Sequence, residues 1–324
     1  MDKDVGGSKG RSVTTPAPTL PSPKSEAFGG GVLKGRSSRG LNRRSTFWIL
    51  YLPPLIWLGM FFLIPLLLMA LFSFRADTYG ALFEDWKLGW NQYATVVATG
   101  SYWRLLGVSS LIALVISISA VMLSYPLSYF LAFHAGKRAG LYLILLLVPF
   151  WTSYLLRVMA WKIMLGTDGV INSLLMYVGV IKEPLEALLY NRTAVILTLI
   201  YVWIPFAALP ILAALQRIEW TLFEAAADLG ARPYHQFMRI TLPLSLPGVF
   251  AAFFMVFIPT IGEYVTPLLV GGSRGFMYGN IIQDFFTKAA NWPLGSALSM
   301  IMLAATLILV FIATRLIKLE DLLQ

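Results

Sequence analysis

The sequence predicts an all-α membrane protein with six transmembrane helices and both termini in the cytoplasm. Three observations lead there. The chain of 324 residues is 58% hydrophobic and only 13% charged, against roughly 45–50% and 25% for soluble domains. Six stretches without Asp, Glu, Lys or Arg approach or exceed the roughly 20 residues that cross a bilayer as a helix. With the N-terminus inside, the segments on that face carry 16 of the 25 Lys and Arg but 8 of the 16 Asp and Glu, the asymmetry that sets membrane orientation. The pI of 9.7 follows from that topology. No basic patch with interleaved aromatics points to nucleic acid.

Residues 1–46 hold nine Lys and Arg among Pro, Gly, Ser and Thr and offer no apolar face, so a disordered basic cytoplasmic tail is expected. The membrane domain then fills residues 47–324. Its first run, Phe47–Phe74, spans 28 residues. That is too long and too late for a cleavable signal, whose apolar region is about 7–15 residues, and it reads as a retained span. After a polar loop, Leu105–Phe133 crosses back and ends at the positive turn "HAGKR". Ala139–Leu156 is the third run, continuing past Arg157 toward Leu165. Residues 166–192 begin with turn chemistry and end in an apolar stretch too short to cross, so they are expected at the outer interface. Thr193–Gln216, Ile240–Gly262 and Ala289–Thr314 complete the six. Pro205, Pro210, Pro247 and Pro259 lie inside the fourth and fifth, where a missing N–H frees a carbonyl that a neighbour must satisfy.

Between the fourth and fifth runs lies a cytoplasmic loop, residues 216–246, containing "EAAADLGARPYHQFMRITLP". Thr221 and Glu224 have capping-box spacing, which predicts a short helix from Leu222 to Leu229 halted by a left-handed Gly230. Pro233 suits the first turn of a second helix that ends near Ile240, before Pro243 opens the next span. The three alanines give a low surface on which another backbone can lie, with Phe223 and Leu229 as apolar knobs. A docking surface and a plain solvated spacer fit these residues equally.

Glu224-Ala225-Ala226, then Gly230, then Ile240-x-Leu242-Pro243 resembles the EAA signature of the membrane subunits of ABC importers, matching every fixed position and spacing. The resemblance implies a type I importer permease fold. It also implies that Glu224, Ala225, Ala226, Gly230, Leu242 and Pro243 couple the spans to a cytoplasmic ABC ATPase dimer. The chain carries no G-x-x-x-x-G-K-[ST] phosphate loop, so ATP and Mg would be used by that partner and no cofactor is expected in this chain. "PFWTSYLLRVMAW", "GVINSLL", "DLGARP" and "FIPTIGEYVTPLLVGG" extend the resemblance over about residues 47–317, toward the spermidine/putrescine branch. That branch implies a bacterial inner-membrane location, a second permease subunit, in a heterodimer rather than a homodimer, and a periplasmic solute-binding protein that delivers a polyamine. Another small organic solute or an ion is the alternative cargo.

Charges inside spans are costly and default to functional candidates. Glu263, in the Pro- and Gly-broken stretch after Pro259, is the candidate for an amine; Arg157 is the second. Arg157 has bland readings too, snorkelling beside Lys162 or pairing with Glu263. Trp151, Tyr154, Trp203 and Tyr264 offer faces to a cation, or serve as interface and packing residues. A gradient-driven transporter would ordinarily show inverted repeats and several intramembrane carboxylates, and only Glu263 qualifies. With no Cys, no G-x-S-x-G, and His134 and His235 on the cytoplasmic side, neither catalytic residues nor metal ligands are expected.

Overall fold

The computed structural model describes residues 43–76 and 87–321. The expected tail lies outside the described residues except for its last four, which already belong to a helix. Chain contacts divide the protein into Met1–Ile56 and Trp57–Gln324. In the first unit the described residues, 43–56, are helical throughout. Among the described residues the elements are helices, and the one β feature is an isolated antiparallel bridge between Arg75 and Leu88.

In chain order the helices are α1 (Arg43–Leu58), α2 (Ile64–Ser73), α3 (Asn91–Ala98), α4 (Gly100–Phe133), α5 (Ala139–Leu147), α6 (Tyr154–Leu165), α7 (Val170–Tyr177), α8 (Arg192–Leu215), α9 (Trp220–Asp228), α10 (Pro233–Gln236), α11 (Leu242–Ile261), α12 (Tyr278–Thr287) and α13 (Trp292–Asp321). Among the described residues five unbroken stretches are long and apolar enough to span: Tyr51–Ser73, Gly100–Phe133, Arg192–Leu215, Pro233–Ile261 and Trp292–Arg315. They correspond to the first, second, fourth, fifth and sixth runs read from the sequence.

The third run is not one rod. Gly136–Trp151 and Tyr154–Tyr177 are bent by 87°: the run does continue past Arg157 to Leu165, but through a break at Thr152 and Ser153. Pro149 lacks the donor that would extend α5, the chain tightens into a 3-10 turn at Val148–Trp151, and Thr152 and Ser153 are extended. The Thr152 backbone N–H and hydroxyl both donate back to the Pro149 carbonyl, at 3.4 and 2.7 Å, closing the last turn before the break.

Proline acts differently in the fifth span. Pro243 was expected to begin a new helix, yet α10 runs into α11 without a break through a π turn, Phe237–Thr241. Because Pro243 has no N–H to give, the ladder slips by one residue and the Leu242 N–H reaches the Phe237 carbonyl. Gly59–Leu63, ahead of Pro65, does the same between α1 and α2, with the Ile64 N–H on the Gly59 carbonyl.

The core is built where α4, α8 and α11 meet. Ser109, Ala113, Ser117, Ala120, Ser124 and Ser128 recur every three or four residues along α4 and are fully buried. Such a stripe of small side chains lets helix backbones approach in a medium where apolar burial supplies no drive between helices. Ser124 and Ser128 donate across to the Ile204 and Ala208 carbonyls of α8 at 3.0 and 2.9 Å. Gly248 plays the matching part on α11: a Cβ there would lie 2.4 Å from the Ala214 Cβ and 2.6 Å from the Pro210 oxygen of α8. Ile116, Leu199, Ile211, Leu215 and Val256 fill this core. A second cluster, Val96, Leu106, Tyr278, Leu294 and Leu298, joins α3, α4, α12 and α13. Leu111, Met122, Leu123, Leu307 and Phe311 are left exposed, as lipid-facing surfaces require.

Candidate functional site

Two places hold the residues singled out from the sequence, and the first is the loop between α8 and α11. Helix α9 begins at Trp220, two residues earlier than the capping box predicts. Its N-cap is Glu219 with no side-chain cap bond, and Thr221 donates to the Glu219 carboxylate at 3.4 Å. The Thr221–Glu224 capping box does not form, because Glu219 already occupies the extended position that a cap needs and Thr221 falls inside the first turn. The other end behaves as expected. Gly230 takes φ +78°, its N–H bonds the Ala227 carbonyl at 2.8 Å, and the Ala231 N–H bonds the Ala226 carbonyl at 2.9 Å. This is a Schellman stop. Pro233 opens α10 at its first turn, and Gln236 Nε2 closes the bend onto the Ala231 carbonyl at 3.1 Å.

On this bent pair Glu224, Ala225 and Gly230 are exposed, while Ala226, Leu242 and Pro243 are half-buried. Leu229 stands almost wholly free at 90% exposure. Phe223, expected as a second outward knob, instead turns toward the spans, its ring edge-on to Phe133 at 5.6 Å.

The second place is the bend between α5 and α6, facing the break after α11. Glu263 follows the end of α11, and its Oε1 accepts the Val265 and Thr266 N–H groups at 2.9 and 3.1 Å. The carboxylate therefore caps the helical turn that leads into the π segment Pro267–Gly271. Tyr154 on α6 has its phenol beside Glu263 and shares a 2.5 Å hydrogen bond with the Thr266 hydroxyl. Arg157, one turn on, is 8% exposed. Its guanidinium carbon sits 5.7 Å from the Phe150 ring centre and 5.9 Å from that of Tyr154, and its Nε and Nη1 are buried without a hydrogen-bond partner. Among the described residues no ion pair joins Arg157 to Glu263, and Lys162 lies over the Tyr190 ring at 5.8 Å. Trp203 joins the group through Phe206, whose ring packs on both Trp203 and Phe150 at 5.3 and 4.7 Å.

The structure thus unites Tyr154, Arg157, Glu263 and Trp203, and leaves Trp151, 77% exposed, and Tyr264, 43% exposed, outside the group. Sequence reasoning missed Thr266, Phe150 and Phe206, which carry no charge; Thr266 and Phe150 lie inside two of the stretches that carry the family resemblance, but nothing there singles them out from their neighbours. Among the described residues no group of His, Asp and Glu is arranged to hold a metal ion.

Comparison with known proteins agrees with this architecture. The family described as "Binding-protein-dependent transport system inner membrane component" matches residues 27–319. The spermidine/putrescine transport system permease protein PotB of Salmonella typhimurium is 34% identical over 267 residues, 81% of this chain and 91% of that protein. PotB of Escherichia coli is 36% identical over 67% of this chain and 80% of its own length. The inner membrane ABC transporter permease protein YdcU of Escherichia coli is 30% identical over 83% and 92%. Among solved structures, a bacterial ABC transporter involved in alginate import superposes with a TM-score of 0.64 at 16% identity, over 85% of this chain and 95% of that one. The helical fold and the family match define the class, a membrane-spanning transport subunit with no enzymatic activity of its own. The chain belongs to the binding-protein-dependent transport system inner membrane components, the permeases of ABC importers.

Proposed function

We propose that this chain is the permease subunit of an ATP-driven polyamine importer, taking spermidine or putrescine from a periplasmic binding protein. A second permease and a cytoplasmic ATPase dimer, which uses ATP and Mg, complete the machine. The observation that carries the mechanical half is the bent pair α9–α10. It presents Glu224, Ala225 and Gly230 to solvent beside a bare Leu229, a small, capped, apolar-tipped surface of the kind a partner grips. Its bend is fixed by the Schellman stop, and α10 is continuous with α11, so a push on α9 is delivered to a span that packs on both α4 and α8. The excess of Lys and Arg on this side of the membrane supports placing both termini and the loop in the cytoplasm.

The cargo half rests on the PotB relatives and on the group around Glu263. A carboxylate and a phenol side by side, with Trp203 close by, are what a primary ammonium needs at the foot of a pathway. Arg157 would hold the net charge of the group near zero until a cation arrives. Trp151 and Tyr264 are exposed in the isolated chain, which fits a role at a rim that the second permease would cover. The test is competition uptake in vesicles carrying the whole importer: unlabelled spermidine and putrescine should displace labelled polyamine, and amino acids or sugars should not. Equal competition by an unrelated solute would remove the polyamine assignment.

A further inference from the structure

Behind the coupling helix lies a cavity that the transport reading does not use. It has a volume of about 340 Å³, inside the roughly 300–1,000 Å³ of small-molecule sites. One stripe of α9, Trp220, Phe223, Glu224 and Ala227, forms its outer wall, at the i, i+3, i+4, i+7 spacing of a single helix face. Tyr129 and Phe133 from the end of α4 and Phe237 from the π turn form the inner wall. The rings make a continuous chain along its wall. Tyr129 lies 5.9 Å from Phe237 and 5.0 Å from Phe133, Phe133 lies 5.6 Å from Phe223, and Phe223 lies 5.4 Å from Trp220.

Two polar groups look for a partner here. Thr241 lines the cavity and is 1% exposed, yet its hydroxyl has no hydrogen-bond partner. Buried hydroxyls are normally satisfied. Glu224 is the one carboxylate of the lining, and no Lys or Arg faces it there. Aromatic faces with a carboxylate at the rim attract an organic cation; an anion would meet Glu224, and an apolar ligand would leave the Thr241 hydroxyl without a partner.

We propose that this cavity binds an alkylammonium compound, a diamine or triamine, with one ammonium donating to the Thr241 hydroxyl among the rings and another reaching Glu224. An occupant would touch α4, α9 and the start of α11 together. It would clamp the coupling helix against the spans and slow the turnover that requires α9 to move. The binding half is independent of the cargo; the braking half rests on the coupling reading of α9.

The test uses the assembled importer, purified without its binding protein, and equilibrium dialysis with radiolabelled 1,4-diaminobutane, with 1,4-butanediol as the uncharged control. Thr241→Val keeps the shape and removes the hydroxyl; Tyr129→Leu removes a ring face; Glu263→Gln alters the distant pathway. The Glu263→Gln variant, which removes the pathway carboxylate, should still bind the diamine, and Thr241→Val or Tyr129→Leu added to that background should weaken the binding about five-fold or more, the scale of one lost hydrogen bond or ring contact. Diamine should also lower ATP hydrolysis by the wild type more than by Thr241→Val. No binding by the wild type, or binding lost only in Glu263→Gln, overturns the site. Binding with unchanged ATP hydrolysis overturns the brake. An importer that proves to carry some other solute would leave the dialysis result standing.

Discussion

Glu263 uses one carboxylate for two tasks, and the tasks separate by mutation. Its Oε1 caps the turn after α11 through Val265 and Thr266, a contact that an amide oxygen can also make. Glu263→Gln should therefore leave the thermal midpoint in place while polyamine uptake falls by about ten-fold, the scale of one charge-assisted hydrogen bond. Glu263→Ala should lower uptake and also destabilise the chain by about 1 kcal/mol through loss of the cap. Unchanged uptake in Glu263→Gln would confine the residue to capping. Arg157 makes a sharper case, because two of its nitrogens are buried without acceptors. Replacing an unsatisfied buried ion by an apolar side chain of similar length is often neutral or stabilising, so Arg157→Met is expected to hold or raise the melting temperature of the isolated chain. A fall equivalent to about 3 kcal/mol or more would show that the guanidinium is already well paired.

Among the elements, the turn at Gly230 and the crossing at Gly248 depend on glycine for different reasons. At Gly230 nothing lies within 4 Å of an added Cβ, but φ is +78°, a conformation Asn tolerates and proline cannot adopt. Gly230→Asn should keep substrate-stimulated ATP hydrolysis, and Gly230→Pro should abolish it while the protein still inserts in the membrane. At Gly248 the backbone is ordinary and space is the limit, since a methyl group would strike Ala214 and Pro210. Gly248→Ala should cost about 1–3 kcal/mol as α8 and α11 are forced apart, read as a lower melting temperature in detergent. The sequence showed the first glycine plainly, because a stop must follow a capped Ala-rich helix. It gave no sign of the second, because a residue needed for close approach looks like any other small residue until its neighbour is known. The same limit explains the missed break at Thr152 and Ser153. Absence of charge marks a run as membrane-embedded, and says nothing about whether the backbone inside it stays helical. Pro243 misled in the opposite direction, since a π turn can absorb a missing donor without ending the helix.

For the whole molecule, the spans among the described residues were legible because about 20 apolar residues in a row have few other uses, and the bent helices between α8 and α11 were legible because a Gly stop and a Pro start are local signals. The group around Glu263 was half legible. Charged members stood out in an apolar chain, whereas Thr266, Phe150 and Phe206 become visible only when α6, α8 and the break after α11 meet. The chain carries no G-x-x-x-x-G-K-[ST] loop, and the proposed function assigns the use of ATP to a partner ATPase. The most direct measurement is accumulation of labelled spermidine in proteoliposomes. Accumulation is expected when this chain, its partner permease, the ATPase and the binding protein are present with ATP, and it should vanish when the ATPase is omitted. Accumulation by this chain alone, driven by an ion gradient, would contradict the account.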